Sequence, residues 1–333
     1  MDRDEILHYL KTSNRNGDLF QKADETRKKH CGDKVHLRGI IEFSNHCCRN
    51  CLYCGLRRDN KKIKRYRMPP QEIVALALKI ARKGVKTIVL QSGDDFWYKR
   101  KTIASIITNI KKQTDAAITL SLGERPLDHY RNWRDAGADR YLMRHETANP
   151  NLYEMLHPGK SLIERLSLLS ALKDMGYQIG AGNIVGIPGQ DLKDLAEDIW
   201  LIKELDSDMA GIGPFIPQKD TPLSNCPPGD LELTLRALAL IRITSKNIHL
   251  PATTAVATLD RKEGLLMALK AGANVIMPDF TPQRYSQKYQ IYDNKQNITL
   301  DMAKAVIFKA KRETGKDKGD SLKCRHYKRH PEA

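Results

Sequence analysis

Four of the chain's seven cysteines crowd into eight residues, Cys47-Cys48-Arg49-Asn50-Cys51-Leu52-Tyr53-Cys54. Cys47, Cys51 and Cys54 form a C-x3-C-x2-C pattern, and Cys48, Cys51 and Cys54 a C-x2-C-x2-C one. Three thiolates this close can each take one iron of a [4Fe–4S] cubane, because a short loop can turn three sulfurs toward one point. No fourth ligand lies nearby, so one iron stays open to an exogenous ligand. Two other readings stand beside this one, a zinc site and a chance group of thiols. Zinc ordinarily takes four ligands from paired C-x2-C knuckles, and no second pair is present. An odd cysteine count with this clustering makes a poor disulfide framework and points to metal binding or redox chemistry in a reducing compartment. Cys31, Cys226 and Cys324 have no partner at metal-ligand spacing.

Such a loop needs a frame, and the pattern supplies one. Apolar, β-branched runs at 35–43, 87–91, 117–122, 140–146, 178–187, 209–216, 248–258 and 274–278 alternate with amphipathic helical stretches. Gly84, Gly137, Gly176 and Gly272 fall where helices would end. Alternating strands and helices predict an α/β fold with a parallel sheet and crossover helices. Eight strands can close into a (β/α)8 TIM-type barrel, with an open doubly wound sheet as the main rival. The cysteine loop then follows the first strand, at the face where barrel enzymes carry their chemistry. Residues 1–34 read as an N-terminal helical extension, 35–298 as the barrel, and 299–333 as a C-terminal helix plus basic tail, mobile over 315–333.

At 333 residues with 41% hydrophobic side chains, the chain can bury a large core without disulfides or a structural metal. It contains no apolar run long enough to span a bilayer and no secretory leader in its first residues, so a cytoplasmic location and no membrane partner are expected. The net charge of +16 is compatible with nucleic acid, an acidic protein or an anionic substrate. A solvated basic surface is the plainer reading, since no RNA-binding signature accompanies it.

The cysteine loop resembles that of the radical S-adenosylmethionine (SAM) enzymes. Longer strings, including Cys51-Leu52-Tyr53-Cys54-Gly55-Leu56-Arg57-Arg58-Asp59-Asn60, Arg144-His145-Glu146-Thr147-Ala148-Asn149-Pro150, Val185-Gly186-Ile187-Pro188-Gly189-Gln190 and Pro251-Ala252-Thr253-Thr254-Ala255, are similar to the HydE family of [FeFe]-hydrogenase maturases. The resemblance runs from about residue 5 to residue 295. It implies Cys47 rather than Cys48 as the third ligand, with SAM on the open iron and a 5′-deoxyadenosyl radical as product of its reductive cleavage. It further implies an Fe(CO)2(CN)-cysteine substrate received from HydG, a product passed to HydF, and a reducing protein such as ferredoxin or flavodoxin. Some HydE proteins hold a second cluster through C-terminal cysteines. Residues 295–311 here contain none, so one [4Fe–4S] cluster is expected.

By the same resemblance Gln91-Ser92-Gly93 lines the SAM amine, Glu146 lies near its ribose and amine, and Arg165 pairs with its carboxylate. Tyr53 stacks near the adenosyl group, and Ile187 and Phe215 belong to the adenine pocket. Period-two alternation places Arg140, Leu142, Arg144 and Glu146 on one strand face, where inward charges are costly unless paired or bound to ligand. With the hydroxyls of Thr119, Ser121, Thr253 and Thr254, Arg140 and Arg144 could hold an anionic or cyanide-bearing substrate, and Tyr285 or Tyr289 could close the cavity. Biotin synthase-like, methylornithine synthase-like and paralogous radical SAM activities remain open alternatives, as does a non-catalytic zinc or RNA-binding protein.

Overall fold

Short β-branched runs between amphipathic helices become twelve strands among the described residues, which in this computed structural model are 1–12 and 16–323. They are β1 (Lys34–Leu37), β2 (Gly39–Ser44), β3 (Thr87–Ser92), β4 (Ala117–Ser121), β5 (Arg140–Leu142), β6 (Gln178–Ala181), β7 (Ile184–Val185), β8 (Met209–Ala210), β9 (Gly213–Pro214), β10 (Pro251–Ala252), β11 (Val275–Ile276) and β12 (Glu313–Thr314). Every ladder between them is parallel. One run is β2-β3-β4-β5-β6-β8, and another is β10-β11-β1-β12. Single bridges, Met209 to His249 and Ile40 to Asp279, link the two runs. The architecture is therefore α/β and TIM-barrel-like, with the ring completed by isolated bridges rather than unbroken ladders.

The expected strands 178–187 and 209–216 each break in two. Their upper halves, β7 and β9, pair separately beyond Gly182 and Gly211. A Cβ on Gly182 would sit 2.1 Å from the Gly211 carbonyl oxygen, so the two backbones meet too closely for a side chain. Helices start and stop as their chemistry dictates. Ser161 caps Leu162–Asp174, Asp191 forms a capping box on Leu192–Glu204, and the four glycines expected to end helices all have positive φ. The N-terminal helix Arg3–Lys11 packs on Leu192–Glu204, and Asn16–Cys31 packs on Leu231–Ser245.

Alternation along the strands sorts the interior. Ile41, Phe43, Ile88, Leu90, Ile118, Leu120, Tyr141 and Ile179 join the apolar layer under the helices. Ile40, Glu42, Val89, Gln91, Thr119, Ser121 and Leu142 face the barrel cavity instead.

The C-terminal segment departs from expectation. Rather than hanging free, residues 313–323 cover the N-terminal ends of the strands. β12 pairs with β1, and the Lys318 carbonyl accepts from Thr87 Oγ1 (2.8 Å) and Arg140 Nη2 (2.8 Å). His249 Nε2 lies 2.9 Å from the Asp320 carbonyl. Residues 324–333, and with them Cys324, lie outside the described residues.

Candidate active site

The cysteine loop leaves the end of β2, where the ladder to β3 shifts register between Glu42 and Ser44. Such irregularities re-aim side chains at sheet ends. The loop is clamped by buried polar groups. Asn45 donates to the Lys64 and Lys288 carbonyls (2.9 and 2.8 Å) and accepts from the Tyr66 amide (2.7 Å). Arg65 donates to the Leu56, Arg57 and Asn60 carbonyls at 2.9, 2.7 and 3.0 Å. Gly93 is a fixed neighbour, since a Cβ there would meet the His46 carbonyl oxygen at 2.4 Å and Cys47 Cβ at 2.8 Å. The amides of Arg49 and Asp94 both donate to Cys47 Sγ at 3.4 Å.

Cys47, Cys51 and Cys54 all line a cavity of about 370 Å³ inside the barrel, whereas Cys48 is exposed. Burial pushes the Cys47 thiol up to about 12 and Cys54 to about 11, and it raises Cys51 well above the ordinary thiol value. Carboxylates and neighbouring thiols add to the effect at Cys47 and Cys51. Bare thiolates are thus disfavoured, and a bound cation would reverse that preference. No three His, Cys, Asp or Glu side chains among the described residues converge on one ion. A cubane takes each sulfur on a different iron and needs no such convergence.

The remaining expected residues fall into two groups. Tyr53, Gln91, Ser92, Gly93, Thr119, Ser121, Arg144, Glu146, Arg165, Phe215, Thr253 and Thr254 line the same cavity. Arg140, Ile187 and Tyr285 do not. Arg140 opens β5 at the opposite end of the barrel, fully buried, and donates to Gln178, Thr87, the Lys318 and Gly319 carbonyls and Asp320. It ties down the C-terminal segment and is not a substrate residue. Ile187 packs in a small cluster with Leu152, Leu156, Ile184 and Phe215, and Ile184 reaches the cavity in its place. The Tyr285 ring packs tilted against Tyr66, with centroids 4.8 Å apart, and its hydroxyl donates to Glu72 at 3.0 Å. Tyr289 and Tyr292 line the cavity instead, with Gln91 Nε2 donating to Tyr289 Oη at 3.2 Å.

Two acids escaped the sequence reading. Glu42 is buried in β2, and burial raises its carboxyl to about 7 although it pairs with Lys295. Glu124 receives Arg165 Nε and Lys160 Nζ, each at 2.8 Å. Despite burial, these cations hold Glu124 below the ordinary carboxylate range. Arg165 also donates from Nη1 to the Arg144 carbonyl (2.7 Å), fixing its guanidinium at the cavity wall. Glu146 adopts φ 67°, a left-handed conformation that side chains adopt at a cost and that clusters at functional sites.

Five buried cavity atoms have no hydrogen-bond partner among the described residues: Arg38 Nε, Glu42 Oε2, Thr119 Oγ1, Arg144 Nε and Glu146 Oε2. Arg144 Nε and Glu146 Oε2 approach to 3.3 Å without hydrogen-bond geometry. Buried polar groups are ordinarily satisfied, so this concentration marks the place of a polar ligand. Three thiols and several buried polar atoms without hydrogen bonds, all lining one cavity, fit a thiolate-held cluster and an amino-acid-bearing cofactor.

The model of the radical SAM superfamily matches residues 41–202. An [FeFe] hydrogenase maturase subunit HydE from Thermotoga maritima is 55% identical over 277 residues, 83% of this chain and 79% of that one. A 3-methylornithine synthase from Methanosarcina acetivorans is 27% identical over 260 residues, 78% of this chain and 73% of the relative. Among solved structures, methylornithine synthase (PylB) superposes with a TM-score of 0.84 at 22% identity, covering 94% of both chains. HydG from Carboxydothermus hydrogenoformans gives 0.79 at 21%, covering 93% of this chain and 75% of that one. These two show the fold. The 55% identity across most of both chains shows more: the protein is a radical SAM enzyme and belongs to the HydE family of [FeFe]-hydrogenase maturases.

Proposed function

We propose that the chain acts on an Fe(CO)2(CN)-cysteine precursor during assembly of the [FeFe]-hydrogenase active-site cluster, using one [4Fe–4S] cluster and SAM. Bound together, those two groups supply reductive cleavage of SAM to a 5′-deoxyadenosyl radical. Cys47, Cys51 and Cys54 would hold the cluster, with Cys48 outside the ligand set. The Gln91-Ser92-Gly93 segment, Glu146 and Arg165 would bind SAM, whose amine and carboxylate complement a carboxylate and a guanidinium. Tyr53 and Phe215 offer apolar surface to the adenosyl group. Arg144, Thr119, Ser121, Thr253 and Thr254 would hold the substrate, and the buried cation and hydroxyls suit an anionic, cyanide-bearing complex. Tyr289 and Tyr292 help keep bulk water from the cavity. On this reading the protein works in the cytoplasm, with HydG as donor, HydF as acceptor and a ferredoxin or flavodoxin as reductant. No helix among the described residues is long and apolar enough to cross a membrane.

The observation that carries the reading is the group of buried polar atoms without hydrogen bonds that line the same cavity as the cysteine triad. The test is anaerobic reaction of iron- and sulfide-loaded protein with dithionite, SAM and the synthetic precursor, followed by EPR. A substrate-dependent low-spin Fe(I)-type signal supports it. Formation of 5′-deoxyadenosine without that signal would move the chain to a different substrate. Cys51→Ala should abolish both iron retention and SAM cleavage while leaving the circular dichroism spectrum unchanged.

A further inference from the structure

The outer side of the cysteine loop carries a second feature that the chemistry above does not use. Cys47 lines the inner cavity and also a surface depression of about 510 Å³, shared with Arg58, Lys61, Arg67, Phe96 and Trp97. Cys48, the next residue in the chain, is exposed. The depression therefore reaches the cluster loop from solvent without passing through the substrate cavity.

Its composition is unusual for a surface left to water. Residues 57–67 hold seven Lys or Arg against one Asp. Arg58, Lys61, Lys62 and Lys64 are exposed. Asp94 and Asp95, the acids in the depression, are already paired with Arg49 and Arg67. Phe96 and Trp97 stand 41% and 53% exposed within this basic rim. Arg125 and Arg67 lie over their rings at 4.1 and 5.4 Å, which holds the aromatic faces at the surface. Phe96 also borders a neighbouring groove with the exposed Leu127 and Ile163. Arg58 and Lys62 pair with Asp59 and Asp220, and residues 57–67 still keep a net positive charge. Exposed aromatics within a rim of net charge are the anatomy of a protein-docking patch.

We propose that this face docks an acidic one-electron carrier protein that reduces the cluster through the Cys47–Cys48 edge. The inference rests on the radical SAM reading, which requires one electron per SAM cleaved. The carrier loses one electron, the cysteine-held cluster gains it, and no atom is transferred. The basic rim orients a partner of opposite charge, and Trp97 with Phe96 supplies the apolar contact. Docking here also leaves the substrate cavity free.

The test uses cluster-loaded protein and, as probe, a flavodoxin of strongly negative net charge. Calorimetry at low salt should show binding that weakens as salt is added. The Arg58→Glu/Lys61→Glu variant should bind about tenfold more weakly, and Trp97→Ala should weaken binding about fivefold. A control with the same charge change elsewhere, Lys270→Glu/Lys304→Glu, should bind as the parent does. SAM cleavage driven by dithionite should be unchanged in all variants, while cleavage driven by flavodoxin hydroquinone should fall with affinity. Equal weakening by the control pair would overturn the proposal by reducing it to net charge, and unchanged affinity in all variants would overturn it outright. So would displacement of the flavodoxin by a short single-stranded RNA at physiological salt. Failure of dithionite to cleave SAM in the parent protein would instead sink the radical SAM reading, and this proposal with it.

Discussion

Arg140 and Arg144 stand four residues apart on one segment and meet opposite fates. Arg140, at the start of β5, spends its guanidinium on two side-chain amide or hydroxyl oxygens, two carbonyls and a carboxylate. Arg144, past the end of β5, keeps a buried Nε without a hydrogen bond. Burying a charge is costly in either place. At the base of the barrel the protein itself offsets the cost in full; at the top Glu146 and the Asn183 carbonyl offset part of it, and the rest is left to a ligand. A saturated arginine thus marks structure, and an unsaturated one marks the site.

That contrast can be broken by experiment. Arg140→Met should cost about 3 kcal/mol of stability, because Asp320 and two carbonyls lose their buried partner. Denaturant titration would measure it, and limited proteolysis should cut within 315–323, while activity per folded molecule persists. Arg144→Met should do the reverse. The substrate-dependent EPR signal should fall about a hundredfold, with the unfolding midpoint close to that of the parent. Equal loss of stability in both variants would erase the distinction.

Both ends of the barrel also bury neutral histidines, and these should respond to acid alike. Burial depresses His249 and His36 at the base, and it lowers His145 to about 3 and His157 to about 4 near the site. The unfolded chain takes up protons near pH 6.5 that the folded chain refuses. Stability is therefore complete above pH 6.5 and declines as pH falls toward 4, by about 1.4 kcal/mol per pH unit for each such histidine. His249→Gln should remove one histidine's share of that slope in pH-dependent denaturation. The smallest effect belongs to Tyr285→Phe, which should cost about 1 kcal/mol or less and leave SAM cleavage intact. Tyr289→Phe should slow cleavage by disturbing Gln91.

What the residues disclosed in advance follows the same division. The cysteine loop was legible because three thiols of fixed spacing carry their chemistry in their order. Thr119 and Ser121 were legible because hydroxyls on the inward face of a strand take places where apolar residues would pack better, and Gln91 through the resemblance. Arg140 was misplaced because period-two alternation gives the face and not the height. β5 stops at Leu142, so the two arginines lie on opposite sides of the barrel's waist. The polar composition of 315–323 suggested mobility, but that segment is held by backbone carbonyls and by side chains such as Asp320 whose partners lie far away in the chain, which no composition reveals. Glu42 was missed because its partner, Lys295, lies 253 residues away.

The pairing of β1 with β12 bears on how the chain reaches this state. Lys34 meets Glu313 and Val35 meets Thr314, so the contact that seals the base joins segments nearly 280 residues apart. Contacts of such long range are made late, after the entropy of closing the loop has been met by everything between them. A nascent chain would thus pass through a stage with β1 in place and the floor still missing. Arg140 and His249 would then face water, and the order of synthesis would set the moment at which the barrel acquires its base.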